Sequence, residues 1–151
     1  MAQGSRRSIV TAVDAGDRKQ LMTLIVRRDV AERVRRAIRE ARPRHTFSGV
    51  AGVAMERAAC VLEYLYHNRK PFPHRSSELK LGPPKGELPQ RIPKVRMTVY
   101  VEPELAERFR NAVYYSPTHE TISSVMSLAL SHAATVLERR RRAAMRHQAN
   151  L

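Results

Sequence analysis

Two short stretches of the chain carry strand-like patterns of apolar and polar residues. Each is followed by two segments in which apolar residues recur at helical spacing. The first stretch, Leu21-Met22-Thr23-Leu24-Ile25-Val26, is mostly apolar. The second, Arg96-Met97-Thr98-Val99-Tyr100-Val101, has period two, with Met97, Val99 and Val101 on one face and Arg96, Thr98 and Tyr100 on the other. Both predict β-strands. Val30, Val34 and Ile38, and then Leu105, Phe109 and Val113, recur at i, i+4, i+8 and predict a helix after each strand. Pro103 suits a first helical turn. Pro43 and Pro117 end these helices, because the residue before proline is pushed out of the helical region. A second helix is predicted to open at Thr46-Phe47-Ser48 and at Thr121-Ile122-Ser123, where a hydroxyl residue is a favoured N-cap. Its apolar face is expected to run through Val50, Val53, Ala54, Ala58, Val61, Leu62 and Leu65 in the first instance. In the second it runs through Val125, Leu128, Ala129, Ala133, Val136 and Leu137. Gly49 and Gly52 weaken the start of the first of these helices relative to Ser124 and Ser127.

The duplicated pattern is an internal repeat. At an offset of 75 residues the segment from Lys19 to Glu63 aligns without gaps on the segment from Lys94 to Glu138, with 18 of 45 positions identical. The identities include Met22/Met97, Thr23/Thr98, Val26/Val101, Ala31-Glu32-Arg33 against Ala106-Glu107-Arg108, Thr46/Thr121, Ser48/Ser123, and Val61-Leu62-Glu63 against Val136-Leu137-Glu138. Neither copy suffices alone, since a lone strand leaves its backbone unpaired and about 45 residues bury too little apolar surface to offset chain entropy. The economical arrangement pairs the two strands with each other and backs them with four helices. The expected fold class is therefore mainly α with a two-stranded antiparallel β-ribbon. The connection from Asn68 to Pro93 holds six prolines and reads as a semi-extended linker. The expected organisation is a basic, disordered tail over residues 1–18, a first unit over 19–67, the linker over 68–93, a second unit over 94–142 and a C-terminal tail over 143–151.

Charge narrows the function. Lys and Arg number 28 against 14 Asp and Glu, a formal net charge of +14. Such an excess destabilises a compact chain through self-repulsion unless an anionic partner relieves it. Most of the cations are Arg, the better bidentate ligand for phosphate and for guanine edges. No apolar run reaches the roughly 18–20 residues that span a bilayer, so no membrane partner is expected. The opening residues show no apolar stretch of a secretory leader, and the expected location is cytoplasmic, on the nucleoid or on a plasmid. The single cysteine, Cys60, allows no internal disulfide and is expected to be a packed, inert thiol. The histidines show no metal-ligand spacing, and no Gly-rich phosphate loop, nucleophile elbow or paired-carboxylate cluster suggests an enzyme. No cofactor or metal is implied.

Strand, helix, turn, helix, with Lys94, Arg96, Thr98 and Val101 leading into Leu105 and then Thr121 and Ser123, resembles the ribbon-helix-helix (Arc/MetJ/CopG-like) DNA-binding superfamily. The resemblance covers both repeats but neither the tails nor the linker. It implies an intrachain pseudo-dimer that inserts its ribbon into the major groove of double-stranded DNA, a groove wide enough for a two-stranded ribbon. The base-reading face would be Arg96, Thr98 and Tyr100 from copy two, with Leu21, Thr23 and Ile25 from copy one. Thr46, Ser48, Thr121 and Ser123 at the helix starts, with Lys19 and Lys94, would hold phosphates, as helix N-termini do. Copy one departs from the family pattern: Leu21 and Ile25 cannot hydrogen-bond a base. They either touch thymine methyls or are covered by the N-terminal segment or another chain, and in both cases the target should be asymmetric.

The expected function is sequence-specific DNA binding without enzymatic activity, as a transcriptional repressor. The alternatives are centromere binding in plasmid partition with a ParA-like ATPase partner, or a relaxosome accessory role beside a relaxase. Self-association on repeated sites is expected, since one ribbon covers few base pairs. An RNA-binding role is the more distant alternative, because Tyr100 is the one stacking candidate on the outward face.

Overall fold

The computed structural model of the chain describes residues 19–76, 92–118 and 120–151. The expected N-terminal tail and most of the proline-rich linker lie outside the described residues. The elements run β1 (Gln20–Arg27), α1 (Arg28–Glu40), α2 (Phe47–Tyr66), β2 (Lys94–Val101), α3 (Pro103–Tyr115) and α4 (Ile122–Ala149). The strand-helix-helix order therefore occurs twice. β1 and β2 form a two-stranded antiparallel sheet within the one chain, with Leu21 opposite Tyr100, Thr23 opposite Thr98 and Ile25 opposite Arg96. Thr23 and Thr98 are also the same position of the two repeats, so the sheet pairs about its repeat-equivalent midpoint.

The inner face of the sheet carries Met22, Leu24, Val26, Met97, Val99 and Val101, all buried against the helices. The two halves interlock rather than pack side by side. α1 packs mainly on α4 and α2 on α3, while α2 lies against β2 and α4 against β1. Contacts between the two helices of one repeat are sparse by comparison. Each half thus supplies the other's core, as expected for segments too short to bury one of their own.

Two reciprocal ion pairs follow the same exchange. Arg33 of α1 forks onto Glu138 of α4, with Nε and Nη2 each 2.9 Å from a carboxylate oxygen, and also donates to Ser131 and Thr135. Arg108 of α3 forks onto Glu63 of α2 at 2.9 and 2.6 Å. These are the same two repeat positions, used once in each direction. Their settings differ: the Glu63 side chain is 3% exposed, whereas that of Glu138 is 31% exposed. The Arg33 guanidinium holds the Glu138 carboxyl below its ordinary value. Arg75, helped by Arg110, does the same to Glu107.

A lowered folded-state value stabilises the fold above the unfolded-chain value of about 4.3, and that contribution is lost as pH falls through the lowered values. The melting temperature should therefore hold steady from neutral pH down to about 5 and fall below about 4. In an Arg33→Gln variant, circular-dichroism melts should show a smaller acid-induced loss than in the parent.

The second helices bury the expected apolar face only in part. The expected apolar face included Val53, Val61, Leu65 and Leu128, yet these are 51, 53, 57 and 71% exposed. Val50, Ala54 and Leu137 of the expected face are buried, and the core adds Ala51, Met55 and Ala59 from α2 and Met126, Leu130 and Ala134 from α4. The buried face is therefore turned partly away from the expected one, leaving Val53, Val61, Leu65 and Leu128 outside it. Cys60 is likewise exposed rather than packed, with its Sγ 3.1 Å from Nη2 of Arg108. The segment expected as a C-terminal tail is helical: α4 continues to Ala149, solvent-exposed from Arg139 onward. The described start of the linker is not free. Arg75 bonds Glu107 and Asn111 on α3, and Phe72 stacks between His67 and Tyr115.

Candidate nucleic-acid interface

The outer face of the sheet is built by strand periodicity alone. With Met22, Leu24, Val26, Met97, Val99 and Val101 turned inward, alternation forces Leu21, Thr23, Ile25, Arg96, Thr98 and Tyr100 outward. All six are exposed, Leu21, Ile25 and Tyr100 at 58, 45 and 55%. The register joins them into three cross-strand pairs, each with one residue from either repeat: Leu21 with Tyr100, Thr23 with Thr98, and Ile25 with Arg96. The hydrogen-bonding side chains at the two outer pairs, Tyr100 and Arg96, both lie on β2, and their β1 partners are aliphatic. The face is chemically lopsided although its backbone is nearly symmetric. None of its six side chains is a carboxylate.

Its dimensions are those of a narrow plank. Two strands lie about 4.8 Å apart, and the four-residue step from Leu21 to Ile25 covers about 13 Å. That length corresponds to about four base steps at 3.4 Å each. Among the described residues no other strand joins this sheet. Lys19 precedes β1 at one end of the plank, while Lys94, opposite Arg27, stands at the other. Both lysines are exposed.

The helix starts are anchored to the plank. Thr46 caps α2, its Oγ1 accepting from the Gly49 N–H at 3.0 Å. Thr121 caps α4 in a capping box: its Oγ1 accepts from the Ser124 N–H at 3.1 Å, and Ser124 Oγ accepts from the Thr121 N–H at 3.1 Å. The Ser48 hydroxyl accepts from the Tyr100 N–H at 3.0 Å, tying the first turn of α2 to β2. On the opposite side the buried Ser127 hydroxyl accepts from the Arg27 N–H at 3.1 Å, tying α4 to the end of β1. The threonines and Ser48 thus have structural partners that fix where each helix start sits beside the ribbon. Ser123 is half-buried in the first turn of α4.

The outward face and the helix starts at Thr46, Ser48 and Thr121 follow from the sequence, whereas the Ser127 anchor and the two Arg–Glu pairs are additions of the fold. Ser127 has no counterpart in the other copy, where Gly52 stands, and its role depends on the fold. Arg33, Arg108, Glu63 and Glu138 carried a usable signal: each lies in a block identical in both copies. Half of the ten Asp and Glu among the described residues are held in internal pairs with Arg, namely Glu63, Glu138, Glu107, Asp29 and Glu40. Among the described residues no cluster of His, Cys, Asp or Glu is arranged to hold a metal ion. No described helix is long and apolar enough to cross a membrane. Comparison with protein-family models, curated proteins and solved structures gives no significant match for this chain.

Proposed function

We propose that this protein is a sequence-specific double-stranded DNA-binding protein, a single-chain ribbon-helix-helix pseudo-dimer that lays its β-ribbon in the major groove and acts as a transcriptional repressor. The observation that carries the reading is the two-stranded sheet, joined by no further strand among the described residues, whose outer face exposes Arg96, Thr98, Tyr100 and Thr23 while its inner face is sealed. A plank of this width enters a major groove about 12 Å wide and 8.5 Å deep, where each base pair presents a distinct donor and acceptor pattern. Arg96 can donate two bonds to guanine O6 and N7. Thr23 and Thr98 meet the central base pairs through hydroxyl or methyl groups. Leu21 and Ile25 supply contacts suited to thymine methyls. The net charge of +14 supplies the sequence-independent attraction. Lys19, Lys94 and the helix starts at Thr46–Ser48 and Thr121–Ser123 flank the plank where a duplex would run its phosphates.

Duplex RNA is disfavoured by the same geometry, since its deep and narrow major groove does not admit a ribbon. The lopsided face makes the two halves of a target unlike. Binding-site selection from random duplexes should therefore return an asymmetric core of about four base pairs per ribbon. Natural targets should carry several such cores side by side, with self-association on the repeated sites seen as stepwise gel-shift bands. Affinity should fall linearly with salt on logarithmic axes, by about 0.9 for each phosphate neutralised. Recovery of no consensus, or equal competition by duplex RNA, would contradict the proposal.

A further inference from the structure

The apolar stripe that the fold leaves outside has a shape of its own. α2 and α4 lie against each other, and between them runs an open groove of about 490 Å³. Its walls are Val53 and Val61 from α2 and Leu128 and Val136 from α4, which are equivalent positions of the two repeats. The groove opens away from the sheet. Residues two apart on a helix point about 200° apart, so Val53 and Leu128 face opposite to Ala51 and Met126, which pack in the core beneath the ribbon. A contiguous exposed apolar patch of this kind marks an interaction surface. From Val53 to Val61 it runs about 12 Å, close to two turns of a docked helix, enough for anchors at i, i+3 or i+4, and i+7.

Charge selects the occupant. Arg57 on one wall and Arg140 on the other line the groove, with His45 and His132 beside them. The carboxylates nearby are Glu120, which accepts a bond from the Ser124 hydroxyl, and Glu56 at the margin next to Arg57. Beyond Arg140 the α4 helix continues into solvent with Arg142 and Arg146 exposed, so the groove leads onto a cationic arm. A second copy seated here would use the same patch twice about a two-fold axis and so bring a second set of Arg57 and Arg140 to a groove whose lining holds one carboxylate, Glu120.

We infer that this groove docks an acidic amphipathic helix of a partner protein, with leucine-like anchors on Val53, Val61, Leu128 and Val136 and its carboxylates on Arg57 and Arg140. The surface lies opposite the ribbon, so a partner held there leaves the ribbon free.

The test uses the full chain and a labelled 16-residue peptide with leucines at i, i+3, i+7 and i+11 and glutamates at most other positions. A second peptide carries lysine in place of glutamate. Fluorescence anisotropy should show the glutamate peptide binding and the lysine peptide failing. Val53→Gln with Leu128→Gln should weaken binding by about tenfold or more, through lost anchor burial. Both residues are exposed, so melting curves should confirm that the variant stays folded. Arg57→Glu with Arg140→Glu should abolish binding of the glutamate peptide, and Arg96→Ala on the ribbon should leave it unchanged. Equal binding of the two peptides, or no response to the groove variants, would overturn the inference. So would sedimentation showing that the parent chain dimerises and the Val53→Gln/Leu128→Gln variant does not, which would assign the groove to a second copy.

Discussion

Replacing Arg108 with alanine is expected to destabilise the fold by about 3–5 kcal/mol, because it strands the buried Glu63 carboxylate without its partner. In urea this should lower the unfolding midpoint by roughly 2 M, at a slope of about 2 kcal/mol per M. Arg33→Ala removes the equivalent arginine of the other repeat, yet it should cost only about 1 kcal/mol. Glu138 keeps access to water at 31% exposure, and an ion pair in that setting is worth little. The contrast is the informative part, since the two sites share residue types and repeat position and differ in burial. Replacing both members of the buried pair, Glu63→Leu with Arg108→Met, should recover most of the loss, as apolar groups of similar volume commonly do at such sites. Equal losses at Arg33 and Arg108, or no recovery in the double variant, would show that burial of Glu63 is not what sets the cost.

At the ribbon the largest expected effect belongs to Arg96→Ala. The variant should keep its melting temperature, because the side chain is exposed and bonds nothing in the core. Discrimination at one base pair of the selected site should drop by about 1–3 kcal/mol, roughly 5- to 150-fold. Non-specific binding to unrelated duplex should change little beyond a salt slope reduced by at most about one unit. Competition titrations with the selected duplex and its single-base variants measure the difference directly. A uniform loss across all sequences would reassign Arg96 from base reading to phosphate contact. Ile25→Thr, directly opposite Arg96 at the same end of the ribbon, should shift preference within the same half of the site, where a methyl contact is replaced by a hydroxyl.

Much of this arrangement is legible in the residues. The strand alternation from Arg96 to Val101 leaves two ways to orient the sheet, and burying Met97, Val99 and Val101 decides between them. The repeat offset makes Thr23 and Thr98 equivalent but does not say which equivalent pair lies opposite, and the register that sets Thr23 against Thr98 comes from the fold. The second helices were less legible. Val53, Val61 and Leu65 adjoin the buried Val50, Ala51, Ala54, Met55 and Ala59, and periodicity does not say where so broad an apolar face ends. Side-chain bulk misleads at Val53, Val61 and Leu65, since valine and leucine bury more area than alanine. The choice is made by the close approach of β2 and α3, which are distant in sequence. Cys60 was misplaced for the same reason. The anchoring role of Ser127 was illegible because its partner is a backbone N–H one hundred residues away. By contrast, the starts of the second helices follow from local chemistry, and Thr46 and Thr121 cap where hydroxyl residues are expected to.

What most directly probes the ribbon's proposed place in the duplex is methylation interference on the selected site. Guanine N7 projects into the major groove and adenine N3 into the minor, so premethylating each separates the two sides of the helix. Blocked binding should map to one or a few guanine N7 positions inside the short core, and Arg96→Ala should relieve the block at one of them. Interference confined to adenine N3, or none within the core, would place the outer face of β1 and β2 somewhere other than the major groove.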